Sequence, residues 1–324
     1  AKKRSWAVYR PNWDDIFPYS AYLSSMTVEP AQTTPSVEYP PFLYGTAWKE
    51  EETRRLTLLA IRQGFRGIDT ANQRKHYFEA AVGEAIADAF DGGLVTREEL
   101  FLQTKFTHQS GQDERLPYDA KAPIGDKVRQ SFDSSLVHLG LDFIDSYVLH
   151  GPTTRKGLSA ADLEAWKAME ALQSEGKVGS LGISNVSLGQ LCMLHRVAKV
   201  KPRFAQIRCY AARAWERDIR EFCGVNGIVF QGFSLLTANR QVLNHEAMKE
   251  IARLHRKTAA QIIFRYALEV GMLPLTGTKS GIHMAEDLDV FDFKLTVADV
   301  KAIESMGVEG KPQPFRITIK RPGD

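Results

Sequence analysis

Eight short runs of β-favouring residues, alternating with helical stretches, constrain this chain more than any other feature. They are FLYGT, RGIDT, LFLQTK, IDSYVLH, VGSLGIS, RFAQIRC, GIVFQGF and GMLPLTG. Eight strands with helices between them fit an α/β chain closed into a (β/α)8 parallel barrel, which needs about 250 residues or more. Two average domains or a doubly wound open sheet are the alternatives that length allows.

The intervening segments carry the expected helical period. Phe78, Ala81, Val82, Ala85, Ile86 and Ala89 recur at three-and-four spacing and leave Glu84 and Asp88 outside. The segment from Ile124 repeats this with Val128, Ser131, Ser135, Leu136 and Leu139. Leu163, Trp166, Met169 and Leu172 do so again before Gly176, which suits a left-handed cap. Ser187 and Thr258 predict N-caps of two further helices, and a last helix spans about residues 297 to 306. No internal repeat or low-complexity linker divides the chain, which favours one barrel over residues 41–310. Residues 1–40, aperiodic and rich in aromatics and proline, read as an N-terminal extension, and 311–324 as a C-terminal tail.

Composition excludes several function classes. The 324 residues are 44% hydrophobic, enough for a large core, and 42 basic against 39 acidic residues leave a net charge of +3. So small a net charge implies neither a nucleic acid nor a membrane surface as partner. Three cysteines without metal-ligand spacing argue against a zinc site or disulfide framework and for a reducing, cytoplasmic setting. No apolar run approaches the roughly 18–20 residues of a membrane span. The expected protein is soluble, a monomer or small homo-oligomer acting on a small molecule.

In a parallel barrel the reactive groups gather where strands end and the βα loops converge. The second strand ends in Asp69 and runs into a loop with His76 and Tyr77; the third ends in Lys105 and the fourth in His150. Strands five to seven deliver Ser184 with Asn185, then Gln206, then Phe233 with Ser234. An acid, a phenol, an ammonium and an imidazole around one mouth suit proton donation to a carbonyl that is receiving hydride. A lysine cation held by Asp69 is expected to lower the pKa of the tyrosine, ordinarily about 10, while His150 polarises the carbonyl oxygen. No side chain transfers hydride, so the scheme requires a nicotinamide cofactor.

These residues resemble the aldo-keto reductases over about residues 41–306, through GFRGIDTA, FEAAVGEAI, LFLQTK, SSLVHLGLDFIDSYVLHGP, EGKVGSLGISN, FAQIRCY, GIVFQGFSLL, TAAQIIFRYAL and EDLDVFDFKL. The resemblance implies a TIM barrel, NADPH-dependent reduction of aldehydes or ketones to alcohols, and an Asp, Tyr, Lys and His tetrad. Asp69, Lys105 and His150 fall in matching motifs. The tyrosine does not: the family pattern places it five residues after the aspartate and three before a glutamate. Here those positions are Arg74 and, three before Glu79, His76. The loop is two residues longer, and Tyr77 lies eight after Asp69 and two before Glu79. Tyr77 is the preferred acid by chemistry and His76 the competitor, since its ordinary pKa is near neutrality.

The resemblance further implies cofactor contacts from Thr46, Asp69, Ser184, Asn185 and Gln206, and from Phe233 in place of a stacking tyrosine. Ser234 and Leu235 begin the loop over the pyrophosphate, and Lys279 and Ser280 contact the 2′-phosphate, favouring NADPH over NADH. His283 stands near the position of a phosphate-binding arginine, and Asp287 replaces an asparagine near the adenine. His108, His138, His195, His245 and His255 lack such company and read as structural or surface residues. Trp48 suits either the wall of the mouth or the core. Two other functions fit less well: a cofactor-binding regulatory subunit with slow catalysis, which the altered loop permits, and a metal-dependent barrel hydrolase, which Lys105 among the site residues disfavours.

Overall fold

The computed structural model describes residues 38–308. Its eight parallel strands close in chain order into a barrel. They are β1 (Leu43–Gly45), β2 (Gly67–Asp69), β3 (Phe101–Phe106), β4 (Ile144–Leu149), β5 (Val178–Ser184), β6 (Phe204–Arg208), β7 (Val229–Phe233) and β8 (Met272–Thr276). Each predicted run yields a strand. The sheet is not open, because β1 pairs with both β2 and β8. The predicted tail and all but the last three residues of the predicted extension lie outside the described residues.

The helices bury most of the faces that their periodicity marks, although Leu163 is exposed and Phe78 precedes its helix. In Glu79–Asp91, Ala81, Val82, Ala85, Ile86 and Ala89 are buried while Glu84 is exposed. Gly83 lets this helix meet Ile124–Leu139 at backbone distance, since a Cβ there would lie 1.9 Å from the His138 carbonyl oxygen. Ser187 and Thr258 each cap a helix, Leu188–Val197 and Ala259–Glu269, in reciprocal capping boxes. The last helix is Val297–Ser305. Most of the apolar core lies between strands and helices, where Leu56, Val82, Phe132, Trp166 and Ile263 are buried. Each such side chain contributes about 1.5–3 kcal/mol by leaving water.

Strand alternation sorts the barrel interior into layers. Leu43, Phe101, Phe204 and Leu273 form an apolar floor. Two residues further along their strands come Gln103 and Gln206, in register with Asp69, Ser146 and Gln231. This second layer is polar and closed upon itself: Gln103 Nε2 donates to Asp69 Oδ1 (2.6 Å) and Gln231 Oε1 (2.9 Å). Gln231 Nε2 and Ser146 Oγ both donate to Gln103 Oε1 (2.9 Å each). A third step along the strands brings Lys105, Arg208 and Phe233 to the mouth end.

Candidate functional site

The amide layer holds Asp69 from below, and Lys105 holds it from the side. Lys105 is fully buried, and its Nζ donates to Asp69 Oδ1 and Oδ2 (2.8 Å each) and to the Thr70 carbonyl (2.7 Å). Those three bonds use all its donors. Burial lowers the pKa of the ammonium, and the Asp69 carboxylate opposes that effect. Ladder bonds running one residue past the strands, Thr46 N–H to Asp69 O (3.0 Å) and Thr70 N–H to Gln103 O (2.9 Å), fix the backbone that carries the pair.

The lengthened loop after β2 is tied down at both ends. Asn72 Nδ2 donates to Ser131 O (2.9 Å) and Gln73 Nε2 to Gly111 O (2.6 Å), while the Tyr77 N–H closes a turn onto Gln73 O (3.0 Å). The turn sends the two adjacent rings to different neighbours. His76 lies against Trp48, with ring centroids 4.0 Å apart, and its carbonyl accepts from the Trp48 N–H (2.8 Å). Tyr77 lies over Lys105, whose Nζ is 5.1 Å from the ring centroid, and its ring is 5.9 Å from that of His150. Both rings line the same cavity, and the Tyr77 hydroxyl has no hydrogen-bond partner among the described residues.

The expected lowering of the Tyr77 pKa is not observed. Burial and the Asp69 carboxylate push the phenol well above its ordinary value. The physical reason is that Lys105 directs its N–H groups to Asp69 and Thr70, so its charge is largely neutralised before it reaches the tyrosine. His76 moves the other way, lowered by partial burial and by Lys75.

His150 follows β4, its N–H bonded to Phe106 O (2.9 Å). Its Nδ1 is 2.7 Å from Thr107 Oγ1, and the Thr107 carbonyl is in turn held by the Tyr118 hydroxyl (2.8 Å). Burial and Lys105 lower the imidazole to about 3, so it is neutral near pH 7. Either partner can donate in this bond, and the tautomer in which the Thr107 hydroxyl donates to Nδ1 carries the ring proton on Nε2.

On the far side, Ser184 Oγ donates to Gln206 O (2.8 Å), and Asn185 Nδ2 donates to His150 O (2.8 Å) and Ser184 Oγ (3.2 Å). Gln206 Nε2 is bound to Asp69 Oδ1 (2.9 Å) and Gln231 Oε1 (3.1 Å). The donors of this trio are therefore spent inside the protein, which leaves acceptor oxygens for a ligand amide. Phe233 is half-buried beside them, and Ser234 and Leu235 continue the wall. After β8, Lys279 and His283 are exposed on the wall, and Asp287 is buried with its Oδ2 accepting from Thr276 Oγ1 (2.7 Å). Burial raises the Asp287 carboxyl to about 7. One continuous cavity of about 1070 Å³ joins Asp69, His76, Tyr77, Thr107 and His150 to the Ser184, Asn185 and Gln206 trio, Phe233 and the groups after β8.

The pattern of strand ends, and not the barrel alone, is what a family match has to reproduce. A sequence model described as "Aldo/keto reductase family" matches residues 43–307. The chain belongs to the aldo/keto reductase family. It is an oxidoreductase of that family. It is 30% identical to the glyoxal reductase of Bacillus subtilis over 86% of this chain and 92% of the relative. It is 32% identical to an uncharacterized oxidoreductase of the same organism, over 83% and 90% of the two chains. Among solved structures, a Bombyx mori aldo-keto reductase in complex with NADP superposes with a TM-score of 0.70 at 28% identity, covering 83% of this chain and 89% of that one.

Within this aldo/keto reductase, three expected site residues lie behind the cavity wall. Lys105 is beneath Tyr77, Thr46 is buried with its Oγ1 on Asp69 O (3.0 Å), and Ser280 caps the helix Gly281–Leu288. Trp48 stands at the mouth, 63% exposed. His108, read from sequence as structural, lines the cavity, 3.1 Å from the buried Asp162. Its partner stands in the first turn of the helix Ala160–Ser174, far away in sequence. Thr107 also lines the cavity, and Gln103 and Gln231 support Asp69 from below, none of them marked by a sequence motif. Lys49 is buried, donates to Gly277 O (2.8 Å), and is lowered to about 8 by burial and by Lys279. Strand parity could have found Gln103 and Gln231.

Proposed function

We propose that this chain is an NADPH-dependent carbonyl reductase in which Tyr77 supplies the proton to the carbonyl oxygen. The observation that carries the reading is the free Tyr77 hydroxyl above the Lys105–Asp69 pair, with a neutral His150 on the same cavity. The names of the relatives, a glyoxal reductase among them, agree with carbonyl chemistry.

The residues present fit a nicotinamide dinucleotide. The acceptor oxygens of Ser184, Asn185 and Gln206 suit the carboxamide N–H groups, Phe233 offers a π face, and the exposed Lys279 on the cavity wall offers a cation to a phosphate. When bound, NADPH supplies the hydride. Everything else falls to the chain. The Tyr77 O–H and the His150 Nε2–H are the two donors for the carbonyl oxygen, which they polarise and hold in place. As negative charge develops there, the phenol proton moves to that oxygen, giving the alcohol. The phenolate left behind lies above the Lys105–Asp69 pair, with Lys105 Nζ 5.1 Å from the ring centroid. Run backwards, the same groups take a proton from an alcohol.

Steady oxidation of NADPH by a reactive aldehyde such as glyoxal tests the reading. Turnover proportional to protein is expected. Tight NADPH binding without turnover would instead mark a cofactor-binding regulatory subunit.

A further inference from the structure

Arg208 is the last residue of β6 and the one charged member of that strand. Phe204 lies in the barrel floor and Gln206 in the amide layer, so alternation directs Arg208 into the mouth, in register with Phe233. It is exposed and lines the cavity.

No acid neutralises it among the described residues. Glu216, the carboxylate closest along the chain, is bound to Arg213 (Nε to Oε1, 2.6 Å). That pairing is built in: Ala214, Trp215 and Glu216 all have positive φ, and this left-handed turn is anchored by the buried Trp215, whose Nε1 donates to Ile303 O (3.1 Å). Arg213 covers one part of the Tyr210 ring (4.4 Å) and donates to the Arg208 carbonyl, while the Arg208 guanidinium stands 5.6 Å from the same ring. The other carboxyls of the cavity stand on other elements. Asp69 is bound to Lys105 beneath the mouth, and Glu286 and Asp287 lie on the helix Gly281–Leu288 after β8. The remaining groups near β2 to β7 are neutral, His150 included. The part of the cavity on these strands therefore carries one uncompensated positive charge, at β6. In an eight-strand ring, β6 faces β2, the strand that leads to Tyr77.

We propose that Arg208 is an anion-binding residue of the substrate site, so that the preferred substrates are aldehydes or ketones bearing a carboxylate some bonds away from the carbonyl. The inference rests on the reductase reading above and adds the substrate class to it. A single guanidinium fork matches a monoanionic carboxylate in charge and geometry. The carbonyl then lies at Tyr77 and His150 while the carboxylate reaches across the mouth.

The test compares kcat/KM for 4-carboxybenzaldehyde and 4-methylbenzaldehyde, which match in size and differ in charge. The parent protein is expected to favour the carboxylate by about tenfold or more, a ratio typical of one charge-assisted contact. Arg208→Gln brings the ratio to within about twofold of unity, and Arg208→Lys leaves an intermediate value. Calorimetry with 4-methylbenzoate and 4-methylbenzamide on the NADP-loaded protein reads the same contact without turnover, and Arg208→Gln weakens only the benzoate. A parent ratio near one, or a ratio unmoved by Arg208→Gln, overturns the proposal. So does a tenfold weaker NADPH affinity in Arg208→Gln with the ratio intact, which would put the cation on the cofactor phosphates. Arg208-dependent benzoate binding with no aldehyde turnover would refute the reductase reading and sustain the anion site.

Discussion

On the β2–β4 side of the cavity, Lys105 gives every N–H to Asp69 and Thr70, Asp69 accepts from two glutamines besides, and His150 is fixed by Thr107. On the β8 side, Lys279 is exposed on the wall with no acidic partner among the described residues, its charge opposes that of the buried Lys49, and burial raises the Asp287 carboxyl to about 7. The first side is balanced before any ligand arrives, which suits proton transfer in a fixed geometry. The second is unbalanced and suits capture of a multiply charged ligand. Substitutions on the first side should therefore cost turnover, and those on the second should change affinity and its pH dependence.

The largest effect is expected from Tyr77→Phe, which removes the proposed acid. Its kcat should fall by about 10²–10⁴ with NADPH affinity, read by fluorescence titration, close to the parent. Lys105→Met comes next: it leaves Asp69 buried without its cation, a change that costs about 3–5 kcal/mol. A chemical denaturation midpoint should register this loss along with reduced turnover. Thr107→Val should lower kcat about tenfold by releasing the His150 tautomer, and Thr107→Ser should restore most of it, since the hydroxyl is what matters.

Asp287 gives a smaller, pH-dependent effect on the other side. Its folded-state pKa is raised to about 7, so the folded protein holds a proton that the unfolded chain releases above about pH 4. Stability contributed by the protonated form is present at low pH and lost as pH rises towards 7. The carboxylate that forms there also repels a phosphate. NADPH affinity should thus weaken between about pH 6 and 8, and Asp287→Asn should flatten that dependence and raise stability at pH 8. If Asp287→Asn leaves the pH dependence unchanged, the carboxyl does not face the ligand.

The residues legible in sequence were those that end apolar runs. Asp69 ends β2, Lys105 is the penultimate residue of β3 and His150 follows β4, each where an apolar pattern stops. The Tyr77 loop was harder, because two extra residues break the expected spacing. Which ring faces Lys105 is decided by contacts from elsewhere, the Trp48 stack and the Gln73 and Gly111 ties. Gln103 and Gln231 looked unremarkable because a glutamine in a strand carries no motif, although they complete the shell around Asp69. The mistaken expectation for the Tyr77 pKa has a similar origin. Sequence places a lysine nearby but does not reveal that its donors point away from the phenol.

The pH dependence of single-turnover NADPH oxidation, at saturating cofactor and aldehyde, tests the central claim most directly. With Tyr77 as the acid and His150 neutral, the rate should stay level from about pH 5.5 to 9, because the phenol is raised above its ordinary value of about 10 and His150 titrates only near 3. A rate that falls as pH rises, with its midpoint below the usual imidazolium value of 6.5, would assign the proton to His76 and contradict the account.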